Sequence, residues 1–115
     1  MILKHMLKQS QALDLMFSAL ADPARRSMVE RLAKGPASVS ELAKPLNMSL
    51  PAVVQHLQLL EQSGLVTSRK TGRVRTCRID PRRLNMAQSW LQKQRSLWEA
   101  RLDRMDEIIL RGDDE

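Results

Sequence analysis

Ser38-Val39-Ser40-Glu41-Leu42-Ala43-Lys44-Pro45-Leu46-Asn47-Met48-Ser49-Leu50-Pro51-Ala52-Val53-Val54-Gln55-His56-Leu57-Gln58-Leu59-Leu60-Glu61-Gln62-Ser63-Gly64 contains two helix starts and two helix stops. Ser38 followed three residues later by Glu41 is a capping box, in which hydroxyl and carboxylate each satisfy a backbone N–H that the first helical turn leaves unpaired. The short helix it opens should bury Val39, Leu42 and Ala43. Pro45 disfavours helical geometry at Lys44, so this helix ends near there or distorts. Asn47-Met48-Ser49 reads as a tight turn with Ser49 as the next N-cap, and Pro51 is tolerated in the first turn because its missing N–H would be unpaired anyway. The second helix runs to Gln62 or Ser63, where Gly64 stops it. Leu50, Val53, Val54, Leu57, Leu60 and Glu61 fall on one side of it, and Pro51, Ala52, Gln55, His56, Gln58 and Leu59 on the other.

Upstream, apolar residues at Leu3, Met6, Leu7, Leu13, Met16, Phe17 and Leu20 step by threes and fours along one helical face, with polar Ser10 as an interruption. Asp22-Pro23 is an N-cap followed by proline at the first helical position. The helix it starts has Met28, Val29 and Leu32 as its buried stripe and ends at Gly35-Pro36. Its Arg25 and Arg26 sit in the first turn, where cations oppose the helix dipole. Downstream, Leu65–Lys70 and Val74–Ile79 are short and rich in β-branched residues, and Thr71-Gly72-Arg73 between them reads as a hairpin loop. Asp80-Pro81 opens a last helix with apolar residues from Leu84 to Leu110. About 30 residues of helix extend about 45 Å, more than a domain this small can cover. Part of that stripe needs a second chain.

The chain has 115 residues, enough for one domain, and 43% are hydrophobic, which argues against global disorder. The single Cys77 excludes an internal disulfide and a multi-cysteine zinc site. No apolar run is long enough for a membrane span, and Met1–Lys8 is too broken by charge to read as a secretory signal. A cytoplasmic protein without membrane contact is expected. The net charge is +6, and all of the excess falls within residues 1–80, because residues 81–115 carry seven basic and seven acidic side chains. That division suggests a polyanion-binding part and a packing part. With Phe17, Trp90 and Trp98 as the whole aromatic complement, stacking on single-stranded bases fits poorly, whereas contact with a duplex backbone fits well.

A short helix, a tight turn and a second helix form a helix-turn-helix, whose second helix enters the major groove with its N-terminal residues at base edges. The candidate DNA-facing residues on that helix are Ser49, Pro51, Ala52, Gln55 and His56. Glutamine can pair bidentately with adenine, and serine can contact a base or a phosphate. The hairpin that follows is a wing. Residues 65–79 carry Arg69, Lys70, Arg73, Arg75 and Arg78 and no acid. Arg69, Lys70, Arg73 and Arg75 are the candidate contacts to phosphate or minor groove, and Arg78, nearer the strand end, could equally be structural. An ordinary charged sheet edge is the competing explanation for the wing, and helix packing is the competing explanation for His56.

Leu20-Ala21-Asp22-Pro23-Ala24-Arg25-Arg26, Ser40-Glu41-Leu42-Ala43 and the run from Ser49 to Val66, continuing through Gly72-Arg73, resemble the ArsR-type winged helix-turn-helix repressors over about residues 12–110. The resemblance implies a homodimeric bacterial or archaeal regulator on a palindromic operator, reading double-stranded DNA with the recognition helix and wing. It also implies a dimer interface formed by the first and last helices, here Leu13 and Phe17 with Trp90, Leu91, Trp98, Leu102, Met105 and Ile109. Many members release DNA when a metal or other inducer binds. This chain departs from the metal sensors. Val39–Leu46 has no cysteine or histidine, residues 81–115 have neither, and a zinc site wants about four ligands. No metal and no cofactor are expected, the chain resembles a metal-free branch of the family, and the sequence specifies no small-molecule inducer.

The expected architecture is mostly α with a small β-hairpin (α+β). It is a single winged helix-turn-helix domain over 1–115, with an N-terminal dimerisation helix at 1–20, the core at 22–80, a long C-terminal dimerisation helix at 81–111 and a tail at 112–115. No catalytic residue is expected, since phosphate loop, nucleophile elbow and H-E-x-x-H are all missing. Cys77 reads as a small apolar filler, the alternative being a thiol sensor activated by Arg75 and Arg78. The rival function is an interaction module that docks a different protein through its last helix, a use that fold alone does not exclude. Such a module has no need of a basic hairpin.

Overall fold

Proline, serine and glycine mark the joints of this chain, and the elements between them follow. A computed structural model describes residues 2–113, with side chains through 110. Through Leu84 the chain forms one unit, and from Asn85 the last helix forms a second.

Helix α1 (Ile2–Leu20) buries Leu13, Met16 and Ala19, a three-residue step along one face, while Leu3, Met6 and Leu7 remain exposed. Leu13 is only 9% exposed, so it belongs to the core of its own chain and has little surface left for a dimer interface; Phe17 is intermediate. Asp22 caps α2 (Pro23–Ala33) by accepting the Arg25 N–H at 3.1 Å. Arg25 and Arg26 sit at an unfavourable end of their own helix, but they serve the preceding one. Arg25 Nε donates to the Ala19 carbonyl at 2.7 Å and Arg26 Nη1 to that of Leu20 at 2.8 Å. Carbonyls that end α1 without helical partners are thereby satisfied by cations.

The capping box forms as read. The Ser38 hydroxyl accepts from the Glu41 N–H at 3.1 Å, and the Glu41 carboxylate accepts from the Ser38 N–H at 3.5 Å. Of the three residues expected to be buried in α3 (Val39–Ala43), Leu42 is buried and Val39 and Ala43 are half-buried. Lys44 keeps helical angles despite Pro45, and the chain tightens into a 3-10 turn over Lys44–Leu46. Asn47 then takes a left-handed conformation, φ 50° and ψ 41°, which redirects the chain toward the Ser49 cap. Helix α4 (Leu50–Gln62) buries Val53, Leu57 and Leu60. Leu50, expected on the apolar side, is exposed because it precedes the first turn that the core covers. Gly64, at φ 83°, ends the helix, and buried Ser63 closes it by donating to the Leu60 carbonyl at 2.6 Å and accepting from the Leu65 N–H at 3.2 Å.

The sheet has three antiparallel strands in the order β1-β3-β2, one more than the expected hairpin. Strands β2 (Val66–Thr71) and β3 (Val74–Ile79) pair from Val66↔Ile79 to Thr71↔Val74. Thr71 is therefore the last strand residue, and the turn is Gly72-Arg73 alone. Gly72 has φ 63°, the sign that two-residue hairpin turns demand at their first position. The added strand β1 (Ala37–Ser38) sets Ala37 opposite Cys77, and both are buried.

Helix α5 (Pro81–Asp113) has 33 residues, about 50 Å. It continues through 112 and 113, where a tail was expected; residues 114 and 115 lie outside the described residues. Ala87 is buried, whereas Trp90, Leu91, Leu97, Trp98, Leu102, Met105 and Ile108–Leu110 are all exposed, Trp98 by 59%.

Candidate nucleic-acid interface

The N-terminal turn of α4 carries the first group of candidates. Ser49 is exposed, with its hydroxyl accepting the Ala52 N–H at 3.4 Å. Pro51 and Gln55 are exposed and Ala52 is half-buried. The Gln55 side chain makes no hydrogen bond among the described residues, so its amide is available to a ligand. Leu50, which the sequence reading left out of this group, belongs to the same exposed end.

His56 does not share the outward face on which the sequence reading placed it. Its side chain is 20% exposed, with Nδ1 3.1 Å from Arg25 Nη1 and 3.8 Å from Asp22 Oδ2. A guanidinium can only donate, so Nδ1 is the accepting atom of this contact. Arg25 thus joins the end of α1, the start of α2 and the middle of α4. Asp22 is held below the ordinary carboxylate value of 3.8, chiefly by the hydrogen bond from the Arg25 backbone N–H, with burial opposing and the Arg25 guanidinium adding to it. From the sequence, Arg25 stands out only as a cation opposed to the dipole of its own helix. A first-turn cation just after a helix end was the available signal.

The strand register distributes the wing's cations. Paired residues share a face, so Lys70 lies with Arg75, and Arg78 with Thr67. Arg69, next to Lys70 along its strand, faces the opposite way, and Arg73 lies in the turn. Arg69, Lys70 and Arg73 are exposed, and their side chains have neither hydrogen bond nor ion pair among the described residues. Arg75 differs. Its Nε donates to Ser68 Oγ at 2.9 Å, its Nη2 lies 3.6 Å from Glu61 Oε2, and Ser68 Oγ donates to Glu61 Oε1 at 2.6 Å. This chain of contacts braces the wing against α4. Glu61 and Ser68 carry no functional signal in the sequence, because strand pairing brings Ser68 to Arg75 and the packing of α4 against β2 brings Glu61.

Behind this brace Cys77 is fully buried, and its thiol pKa is raised, mainly by burial, with Glu61 adding and Arg75 opposing. The two arginines do not activate it, and a thiol sensor is not supported. Among the described residues no three His, Cys, Asp or Glu side chains gather to hold a metal ion, and no helix is long and apolar enough to cross a membrane. The outward chemistry is an amide and a hydroxyl on α4 and, on the hairpin, three cations whose side chains are unpaired among the described residues.

Known proteins share this sequence pattern and fold. A family model for a helix-turn-helix domain matches residues 20–69. An HTH-type transcriptional regulator of Mycobacterium tuberculosis is 50% identical over 68 residues, which are 59% of this chain and 64% of the relative. The match thus spans somewhat under two thirds of that curated relative. Among solved structures, an ArsR family transcriptional regulator has 48% identity and a TM-score of 0.73, covering 78% of this chain and 93% of its own. A homodimeric winged helix-turn-helix DNA-binding domain from Mycobacterium bovis has 26% identity and a TM-score of 0.61, covering 82% and 86%.

Proposed function

The chain belongs to the ArsR family of winged helix-turn-helix transcriptional regulators, and from that premise we propose that it is a homodimeric repressor that binds a palindromic operator in duplex DNA. The observation that carries this reading is the exposed N-terminal turn of α4, with an uncommitted Gln55, alongside Arg69, Lys70 and Arg73, which have no partner among the described residues. In the proposal the turn meets base edges while the wing cations meet phosphate. Arg75 and His56 serve as supports, one holding the wing and the other seating α4 on α2.

Dimerisation is supported by the exposed apolar residues of α5, and by Leu3, Met6 and Leu7 of α1. The Mycobacterium bovis domain is itself homodimeric. Two recognition helices would occupy major grooves about 34–36 Å apart, and occlusion of a promoter follows from that position. No metal response is part of the proposal: α3 holds no cysteine or histidine, and Cys77 is sealed in the core. The protein would act in the cytoplasm, with its DNA. The exposed stripe of α5 also suits a docking module, a reading that leaves the wing cations without purpose.

The test is binding of the purified protein to its own upstream promoter DNA against a scrambled duplex, with salt varied and the mass of the complex measured. Selective, salt-steep binding by two chains per duplex is expected. Equal weak binding to both duplexes, or a monomer at high concentration, overturns the proposal in favour of the docking module.

A further inference from the structure

The residue that opens α4 has no evident task within the fold. Leu50 is 53% exposed, although a polar residue would fill that position at no cost to the core. Its neighbours Pro51 and Ala52 carry no hydrogen-bonding side-chain group, and the Ser49 hydroxyl already accepts from the Ala52 N–H. The leading turn of α4 is therefore largely apolar where the proposed function puts base edges. Every Cα–Cβ bond of an α-helix tilts toward its N-terminus. At the first helical position the side chain thus leans beyond the helix end, toward whatever that end enters.

In the major groove the edges of the bases are hydrogen-bond donors and acceptors with one apolar exception, the C5-methyl group of thymine. We propose that Leu50 is a specificity-determining residue that packs on the C5-methyl of a thymine in each operator half-site. This rests on the duplex-DNA reading above and adds to it a base and an atom. The base is separate from the one Gln55 meets. Five residues of helix rise about 7.5 Å, against about 3.4 Å for one base-pair step. Hydrophobic contact at one position and amide contact at another would divide the readout between two chemistries on successive turns of α4.

The experiment begins with an operator chosen by the full-length protein from a random duplex library. Each thymine is then replaced singly by deoxyuridine, which removes the methyl and leaves the pairing edge unchanged. Affinity is read by fluorescence anisotropy at fixed salt. At one position per half-site the wild-type protein should bind about three- to fivefold more weakly, as burial of one methyl group implies. Leu50→Ala should bind the parent operator more weakly by a similar factor and be indifferent to deoxyuridine at that position. Gln55→Ala should keep the full sensitivity. Because Leu50 is exposed, its variant should melt with the parent, which separates binding from folding. If Leu50→Ala remains as sensitive as the parent, or if no position responds although the operator is bound selectively, the proposal fails and the DNA reading survives. If the library yields no preferred sequence, the DNA reading fails and takes this proposal with it.

Discussion

Leu60 and Trp98 are both large apolar residues on amphipathic helices, yet one is wholly buried and the other is 59% exposed. The same contrast separates their regions. In the unit ending at Leu84, the apolar stripes of α2, α3 and the middle of α4 are covered by the chain's own elements: Met28, Leu42, Val53 and Leu57 are all buried. In α5, from Trp90 to Leu110, every large apolar side chain is exposed. Periodicity marks which face of a helix is apolar; it does not tell whether the cover is the same chain or another. The first region covers its own apolar stripes, and the second leaves its stripe for the partner chain of the proposed dimer.

The sharpest way to break this contrast is to truncate one residue in each region. Leu60→Ala should cost about 2–5 kcal/mol in urea denaturation, through lost transfer energy and a cavity. Trp98→Ala should leave the urea midpoint of dilute, monomeric protein unchanged while raising the dimer dissociation constant about 30-fold or more, as loss of an interface anchor does. Sedimentation equilibrium reads the second effect. If Trp98→Ala destabilised the monomer as Leu60→Ala does, α5 would be part of an intrachain core and the contrast would fall.

The joints were legible because capping chemistry is local. Asp22-Pro23, Ser38 with Glu41, Ser49 and Gly64 each declare themselves within four residues, and each sits where it was read. Features that depend on distant partners were not legible. Strand β1 is two residues long, too short for any alternation, and it exists because β3 offers an edge to Ala37 and Ser38. Thr71 looked like loop because composition near a glycine does not set register. Arg25 and Arg26 oppose the dipole of their own helix, but the carbonyls they serve end the helix before it. His56 was placed outward by its azimuth on α4. The start of α2 reaches that side of the helix and draws the ring into contact with Arg25. At the candidate site the sequence therefore indicates which side chains have suitable chemistry, and tertiary contacts decide which of them are already occupied.

The wing repeats the contrast on a smaller scale, since Arg73 is unpartnered among the described residues and Arg75 is engaged. Arg75→Ala removes the links to Ser68 and Glu61 and should lower stability by up to about 1 kcal/mol, the usual worth of a half-exposed charged contact. Arg73→Ala should leave stability unchanged, weaken DNA binding across all sequences and reduce the slope of log affinity against log salt by about 1. Chemical denaturation and a salt titration on one operator tell the two apart. Equal salt slopes for Arg73→Ala and the parent would place this cation away from phosphate.

The smallest expected effect concerns acid and the joint at Asp22. Its carboxylate is held below its ordinary value by the N–H of Arg25, so it is the ionised form that the fold favours. That contribution is fully present above the unfolded value of 3.8. It is lost as pH falls through the lower folded value, where both states are protonated. Asparagine is an equally good N-cap without a titrating group. Asp22→Asn should therefore resemble the parent near neutrality and show a shallower loss of stability below about pH 4, measured by urea midpoints from pH 7 down to pH 2.5. Parallel acid limbs would mean that Asp22 acts only as a neutral cap. A shallower limb for the variant would show that carboxylate charge holds the joint at the start of α2, from which Arg25 reaches His56 of the helix proposed to read DNA. The self-covering region would then be held at its functional edge by charge as well as by burial.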